Sequence, residues 1–173
     1  MPQFFIEKRL EENSEAVIRG SDARHIIQVL RLKVGDWILL SDGAGKNFQG
    51  IIADILPTSV RLTVGAPVER KEGSPPPVLA LAVIKGDRFE WAIQKCVELG
   101  CRRIIPFLSE RSVPQYTKDA SSKKLGRWRE IALSAAKQSG LPFKPEVEGV
   151  MTFQSLLSFL PGASRKILFY EGE

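Results

Sequence analysis

Three consecutive prolines, Pro75-Pro76-Pro77, follow Lys71-Glu72-Gly73-Ser74. Proline has no backbone N–H and a locked φ, so such a run can neither continue a helix nor sit inside a sheet. With the flexible Gly-Ser pair before it, the stretch reads as an extended linker. It divides the 173 residues into a first module, 1–70, and a second, 78–173, joined by 71–77. Each is long enough for a small core of its own.

The two halves differ in pattern. Before the linker, short apolar runs alternate with turn signals. Phe4-Phe5-Ile6, Trp37 to Leu40, Phe48 to Leu56 and Val60 to Val64 read as strands. One helix interrupts them: Ser21 can N-cap it, and Ala23, Ile26, Ile27 and Leu30 recur at helical spacing. Short strands with a single helix predict a small β-barrel. After the linker, strand and helix patterns alternate. Val78–Ile84 reads as a strand buried on both faces, followed by a helix from Arg88 to Leu99 closed by Gly100. Arg103–Leu108 is a second strand, 122–139 a long helix, 152–160 a short helix, and Lys166–Tyr170 a third buried strand. That order predicts a mainly parallel sheet covered by helices. The fold class is therefore a two-domain α+β and α/β chain.

Charge is distributed unevenly. Residues 1–75 hold 10 basic and 10 acidic side chains, whereas 76–173 hold 15 and 10. Within 102–137 the balance is 9 to 3. A local excess of this kind points to a phosphate-bearing partner, although a solvated helix face shows the same pattern. No apolar run approaches the roughly 20 residues of a membrane span, and the amino terminus lacks a signal-peptide layout. The expectation is a cytoplasmic protein without a membrane partner. His25 is the single histidine, and Cys96 and Cys101 fit no metal spacing, so no metal site is expected.

Three stretches could carry chemistry. On a helical wheel Arg24, His25, Gln28 and Arg31 lie opposite the apolar stripe, with Lys33 in the following turn, as suits phosphate contacts. Lys85 and Arg88 flank the start of the next helix, where Asp87 and Glu90 have capping-box spacing. Arg111 lies in the loop after the second parallel strand. Lys123, Arg127 and Lys137 share one face of the long helix, with Lys124 and Arg129 nearby. Trp128 falls on that helix's apolar stripe and reads as core, not as a base-stacking platform. These residues describe a basic face for RNA and name no reaction.

Four blocks carry a resemblance: H-I-I-Q-V-L-R-L-K-V-G-D, K-G-D-R-F-E-W-A-I-Q-K-C-V-E-L-G, I-P-F-L-S-E-R-S and R-W-R-E-I-A-L-S-A-A-K-Q-S. In this order and spacing they resemble the bacterial ribosomal RNA small subunit methyltransferase E family over nearly the whole chain. The resemblance implies a PUA-like RNA-binding barrel followed by a SPOUT methyltransferase domain. It also implies S-adenosyl-L-methionine as cofactor, methylation of N3 of one uridine in 16S rRNA, the small ribosomal subunit as partner, and a homodimer. Carried over by position, His25, Arg31 and Lys33 would lie near RNA. Lys85, Glu98, Glu110, Arg111, Arg127 and Gln138 would surround the cleft or its supporting shell, with Glu98 also readable as a buried structural carboxylate paired with a cation.

The chain departs from the family in three places. An Arg near the start is replaced within Pro2-Gln3-Phe4, and the Glu and Arg flanking the long helix's Gln are replaced within Lys137-Gln138 and Gly140-Leu141-Pro142. Lys137 or Lys144 is left to supply the missing cations. The family's G-P-E-G-G and L-G-x-R-I-L-R-x-E-T segments, which hold the cofactor in a knot, are absent from these residues. The expectation is an incomplete SPOUT domain whose cofactor site would follow Glu173, with the 173 residues inactive alone. A non-catalytic PUA-like rRNA-binding protein is the alternative.

Overall fold

The computed structural model describes residues 2–68, 75–109, 118–159 and 166–169, with side chains of 118–121 left aside. The first module is a five-stranded half-barrel: β1 (Gln3–Phe5), β2 (Glu15–Arg19), β3 (Trp37–Ser41), β4 (Asn47–Leu56) and β5 (Ser59–Pro67), in spatial order β1-β3-β4-β5-β2. All neighbours are antiparallel except β1 and β3, which run parallel with Gln3 opposite Leu39. Strand β2 alternates exposed and buried residues, with Ala16 and Ile18 turned inward. Its glutamate and arginine positions mask that alternation in the sequence, where no strand is expected.

Tight packing inside the half-barrel explains one glycine. A Cβ on Gly50 would lie 2.6 Å from the Cγ and Cδ1 of the fully buried Leu40. No larger residue fits while Leu40 keeps its place.

Between β2 and β3 runs α1 (Gly20–Arg24), which passes directly into a π-helical segment, His25–Val29. The wider turn is seen in the Leu30 N–H, which donates to the His25 carbonyl at 2.9 Å. Ser21 is not the N-cap. The cap position is Arg19, without a side-chain hydrogen bond, because the helix starts two residues earlier than expected, at Gly20.

The second module has a parallel sheet of β6 (Val78–Ala82), β7 (Arg103–Leu108), β8 (Glu146–Val147) and β9 (Met151–Thr152). β7 pairs with β6 along one edge and with β8 and β9 along the other. α2 (Asp87–Glu98) and α3 (Lys118–Ser139) cover it, and α4 (Phe153–Phe159) follows β9. Phe89, Ile93 and Val97 of α2 pack with Trp128, Ala132, Ala135 and Ala136 of α3. The Phe89 and Trp128 rings meet at 4.6 Å, so Trp128 is core as expected.

Three expectations fail here. β6 is only half-buried, with Val78 exposed, because it has a single neighbouring strand among the described residues. Residues 166–169, expected as a buried strand, form none: Ile167, Leu168 and Phe169 are exposed. An apolar run becomes a strand only when its backbone finds a ladder, and 166–169 pair with no strand of the sheet, the outer edge of β6 included. The capping box is also absent. Gly86, at φ +76°, occupies the N-cap of α2 with no side chain to offer, and Asp87 is the first helical residue.

The modules share a joint. Strand β1 serves both cores through its period-2 alternation: Phe4 and Ile6 enter the half-barrel core, while Phe5 packs against the core of the α/β module. No helix of the described residues is long and apolar enough to cross a membrane.

Candidate nucleic-acid interface

The barrel cations lie where the chain leaves the helix. Arg24 ends α1, and Arg31 follows the π segment with φ +53°, a left-handed conformation that side-chain-bearing residues rarely adopt. Strain of this kind gathers at functional positions. It is supported on both sides: the Leu32 N–H donates to the Ile26 carbonyl (3.2 Å), and the Lys33 N–H donates to Asp36 Oδ2 (2.8 Å). The wider π turn also means that the 3.6-residue wheel does not place these side chains; the bulge and Arg31 do. Arg24, Arg31 and Lys33 are exposed, and none belongs to an ion pair among the described residues. His25 is exposed, its ring tilted against Phe4 at 6.3 Å.

In the α/β module, Lys85 and Arg88 are both exposed, between the end of β6 and the first turn of α2. Glu90, one turn on, accepts from Arg127 of α3 at 2.7 Å. Arg127 keeps 65% of its side chain exposed despite that pair, so the guanidinium is oriented and still reachable. Lys123 and Gln138 are exposed on α3. Arg129 donates through Nε to the Val147 carbonyl at 3.1 Å, which ties α3 to β8. Arg111 and Glu110 lie outside the described residues.

Glu98 is at the far end of α2 from Lys85 and Arg88, a separation of roughly 18 Å for a twelve-residue helix. Its carboxylate accepts from Lys95 Nζ and Gln94 Nε2, both at 2.8 Å. Those two hydrogen bonds, Lys95 first, hold its pKa below the usual carboxylate value. It is a cation-paired carboxylate on the helix surface, apart from the basic groups.

The three sequence departures come together in space. Gln3 Nε2 donates to the Leu141 carbonyl at 2.7 Å, and Lys137 Nζ reaches both carboxylate oxygens of Asp22 at 3.0 Å. Around them Asn47 Nδ2 donates to the Gly140 carbonyl (3.2 Å) and Ser41 Oγ to the Pro142 carbonyl (3.0 Å). Lys144 lies 3.7 Å from Glu7. These positions are the joint between the modules. Both lysines that could have supplied missing cations are engaged there. Nothing in the local sequence marks Gln3, Ser41 or Asn47 as joint residues, because their partners are about a hundred residues away.

The joint ties α1 of the half-barrel to the last turn of α3 through Lys137 and Asp22. Arg24 is two residues from Asp22, and Arg127 lies about 15 Å back along α3 from Lys137.

An open groove of about 1140 Å³ runs between residues 6–12 and the turn at 42–46. It mixes Glu7, Glu11 and Asp42 with Lys8, Arg9 and Lys46, so it has no net pull on an anion. A second, of about 380 Å³, lies beside Arg61 on the half-barrel. The first is also lined by Pro142 and Lys144 and so borders the joint, whereas the second is confined to the half-barrel. No His/Cys/Asp/Glu cluster among the described residues could hold a metal.

Comparison with known proteins accounts for both modules. An RNA methyltransferase PUA domain family matches residues 18–65, and an RNA methyltransferase domain family matches 72–173. Ribosomal RNA small subunit methyltransferase E of Bacillus subtilis is 33% identical over 99% of this chain, which covers 68% of that protein. The Synechocystis protein of the same name is 34% identical over 88% of the chain, which spans 49% of its length. A crystal structure of ribosomal RNA small subunit methyltransferase E from Neisseria gonorrhoeae, bound to S-adenosyl methionine, superposes with a TM-score of 0.82. It is 28% identical and covers 93% of this chain and 66% of its own. With a PUA half-barrel followed by a methyltransferase domain, the chain belongs to the ribosomal RNA small subunit methyltransferase E family.

Proposed function

We propose that this chain holds 16S rRNA for S-adenosylmethionine-dependent methylation of a uridine at N3, on the small ribosomal subunit in the cytoplasm. The observation that supports it best is the set of exposed cations Arg24, Arg31 and Lys33 on the PUA half-barrel, without an ion pair among the described residues, with the exposed Arg127 on the methyltransferase side. His25, Lys85, Arg88, Lys123 and Gln138 belong to the same proposed face, and Arg111 is proposed as an RNA contact from its sequence position. Lys137 contributes by holding the joint, and a homodimer is part of the same reading.

The chemistry requires an accessible base. N3 of uracil is on the Watson–Crick edge, so the target must be unpaired or turned out of its stack. Its N–H proton must leave as the methyl arrives, and fixed cations nearby stabilise the resulting uracil anion. S-adenosylmethionine supplies the methyl as a sulfonium. At the carboxyl edge of β6 the described residues offer the exposed cations Lys85 and Arg88.

The test is to incubate the protein with small subunits lacking the modification and with methyl-labelled S-adenosylmethionine. The 16S rRNA is then digested to nucleosides. Labelled N3-methyluridine is the expected product. Salt-sensitive subunit binding without transfer would favour the non-catalytic alternative. Label at a carbon or ribose position would overturn the proposed reaction.

A further inference from the structure

Trp37 is the first residue of β3, yet its side chain faces out and the residue is 46% exposed. Its neighbours are exposed too. Ile51, opposite Trp37 on β4, is 39% exposed, and Val34, in the turn just before, is 61% exposed. Thr63 of β5 continues the row. A tryptophan left in water on a regular strand forgoes the burial of a large apolar surface. The half-barrel has an inner face that could have taken it.

The surroundings specify an occupant. The turn from Lys33 to Asp36 is closed by two hydrogen bonds, Lys33 N–H to Asp36 Oδ2 (2.8 Å) and Asp36 N–H to the Lys33 carbonyl (3.0 Å). It is fastened to β4 by the Gly35 N–H, which donates to the Ile52 carbonyl, and by the Ile52 N–H, which donates to the Asp36 carbonyl, both at 2.9 Å. Trp37 therefore projects from a rigid corner. The same corner carries Arg31 and Lys33, both without an ion-pair partner among the described residues. The nearest carboxylate, Asp36, is already taken by a backbone donor. A flat aromatic surface beside unpaired cations, on a rigid strand, suits a base on its phosphate backbone.

We propose that Trp37 is a stacking platform for one unpaired nucleotide of the RNA, with Arg31 and Lys33 holding the flanking phosphates. The proposal rests on the half-barrel being the RNA-holding part. It adds a residue that reads whether a nucleotide is single-stranded, which a row of cations does not do.

The experiment compares binding of a single-stranded uridine octamer to the parent protein and to Trp37→Phe, Trp37→Thr and Lys33→Glu. Threonine keeps strand propensity, so the fold survives the loss of the ring. Trp37→Thr is expected to weaken octamer binding about tenfold, with Trp37→Phe recovering most of it. Octamer should quench the parent's tryptophan emission, and that quench should vanish in Trp37→Phe. If Lys33→Glu loses the octamer while Trp37→Thr binds within twofold of the parent, the RNA-holding reading stands and the stacking platform is wrong. If neither variant alters octamer binding and salt does not weaken it, the half-barrel reading fails and the platform with it. If Trp37→Thr instead converts a dimeric parent to monomer in sedimentation, the face is a surface between copies of the chain, which also overturns the proposal.

Discussion

Lys137 Nζ lies 3.0 Å from both carboxylate oxygens of Asp22, joining the last turn of α3 to α1 across 115 residues of sequence. The pair sits over the Phe4 ring, 5.9 Å from Nζ, at the strand that serves both cores. It fixes α1 of the half-barrel against the last turn of α3. With side chains 27% and 33% exposed, the pair is partly shielded from solvent.

Lys137→Ala and Asp22→Ala should each lower stability modestly, and a double-mutant cycle should give a coupling of about 0.5–1 kcal/mol. The charge swap Lys137→Asp with Asp22→Lys should recover part of it. Denaturant melts of the four proteins measure the cycle. Small-subunit affinity should fall more than stability does, because the joint sets the relative placement of the cations.

Arg127→Glu should weaken RNA binding several-fold while changing stability by less than about 1 kcal/mol. The guanidinium is 65% exposed and its pair with Glu90 is a surface pair. The reversed charge also meets Glu90 and moves away from it. Filter binding at two salt concentrations, alongside a thermal melt, separates the two effects. A large loss of melting temperature with unchanged RNA affinity would show the residue to be structural.

Gly50→Ala should destabilise the half-barrel by about 1–3 kcal/mol, since the new methyl collides with Leu40 in a filled core. A compensating Leu40→Ala in the same chain should restore less than the full loss, because it empties more volume than one methyl fills. Chemical denaturation with and without the second change reads this directly.

Gln3→Ala should cost about 1–3 kcal/mol, because it orphans the buried Leu141 carbonyl at the joint. Gln3 Oε1 has no partner among the described residues, so Gln3→Met, which keeps the volume and removes that unpaired acceptor, should be milder than its loss of a hydrogen bond alone implies. Comparing the two variants in a urea melt tests the assignment.

Burial pushes the Cys101 thiol up to about 11 from an ordinary 9.0. The folded state therefore holds a proton that the unfolded chain releases. The associated stability is intact below about pH 9 and is lost as pH rises toward about 11. Stability should fall across that window, and less steeply in Cys101→Ala. Cys101 should also resist alkylation at pH 8 until the protein unfolds.

Much of the architecture is legible in local chemistry. The prolines at 75–77 mark the boundary, the run from Phe48 to Leu56 declares a strand, and the spacing of Phe89, Ile93 and Val97 declares a helix face. Trp128 is readable as core because the apolar residues around it keep helical period. The resemblance of four blocks identifies the family. Cation candidates were also visible as residue types, since charge is written in the sequence directly.

What tertiary structure alone decides is which of those groups remain available. Lys137, Lys144, Arg127 and Glu98 look alike as charged helix or loop positions, yet their partners differ. Lys137 is held by Asp22, Lys144 lies against Glu7, Arg127 is aimed by Glu90, and Glu98 is kept ionised by Lys95. Only the last of these partners is a near neighbour in sequence. The strand expected at 166–170 fails for a related reason: a ladder belongs to two segments, and an apolar run specifies only one of them. The exposed Trp37 follows the same logic, because strand alternation names two faces and only the packed sheet shows which one meets water.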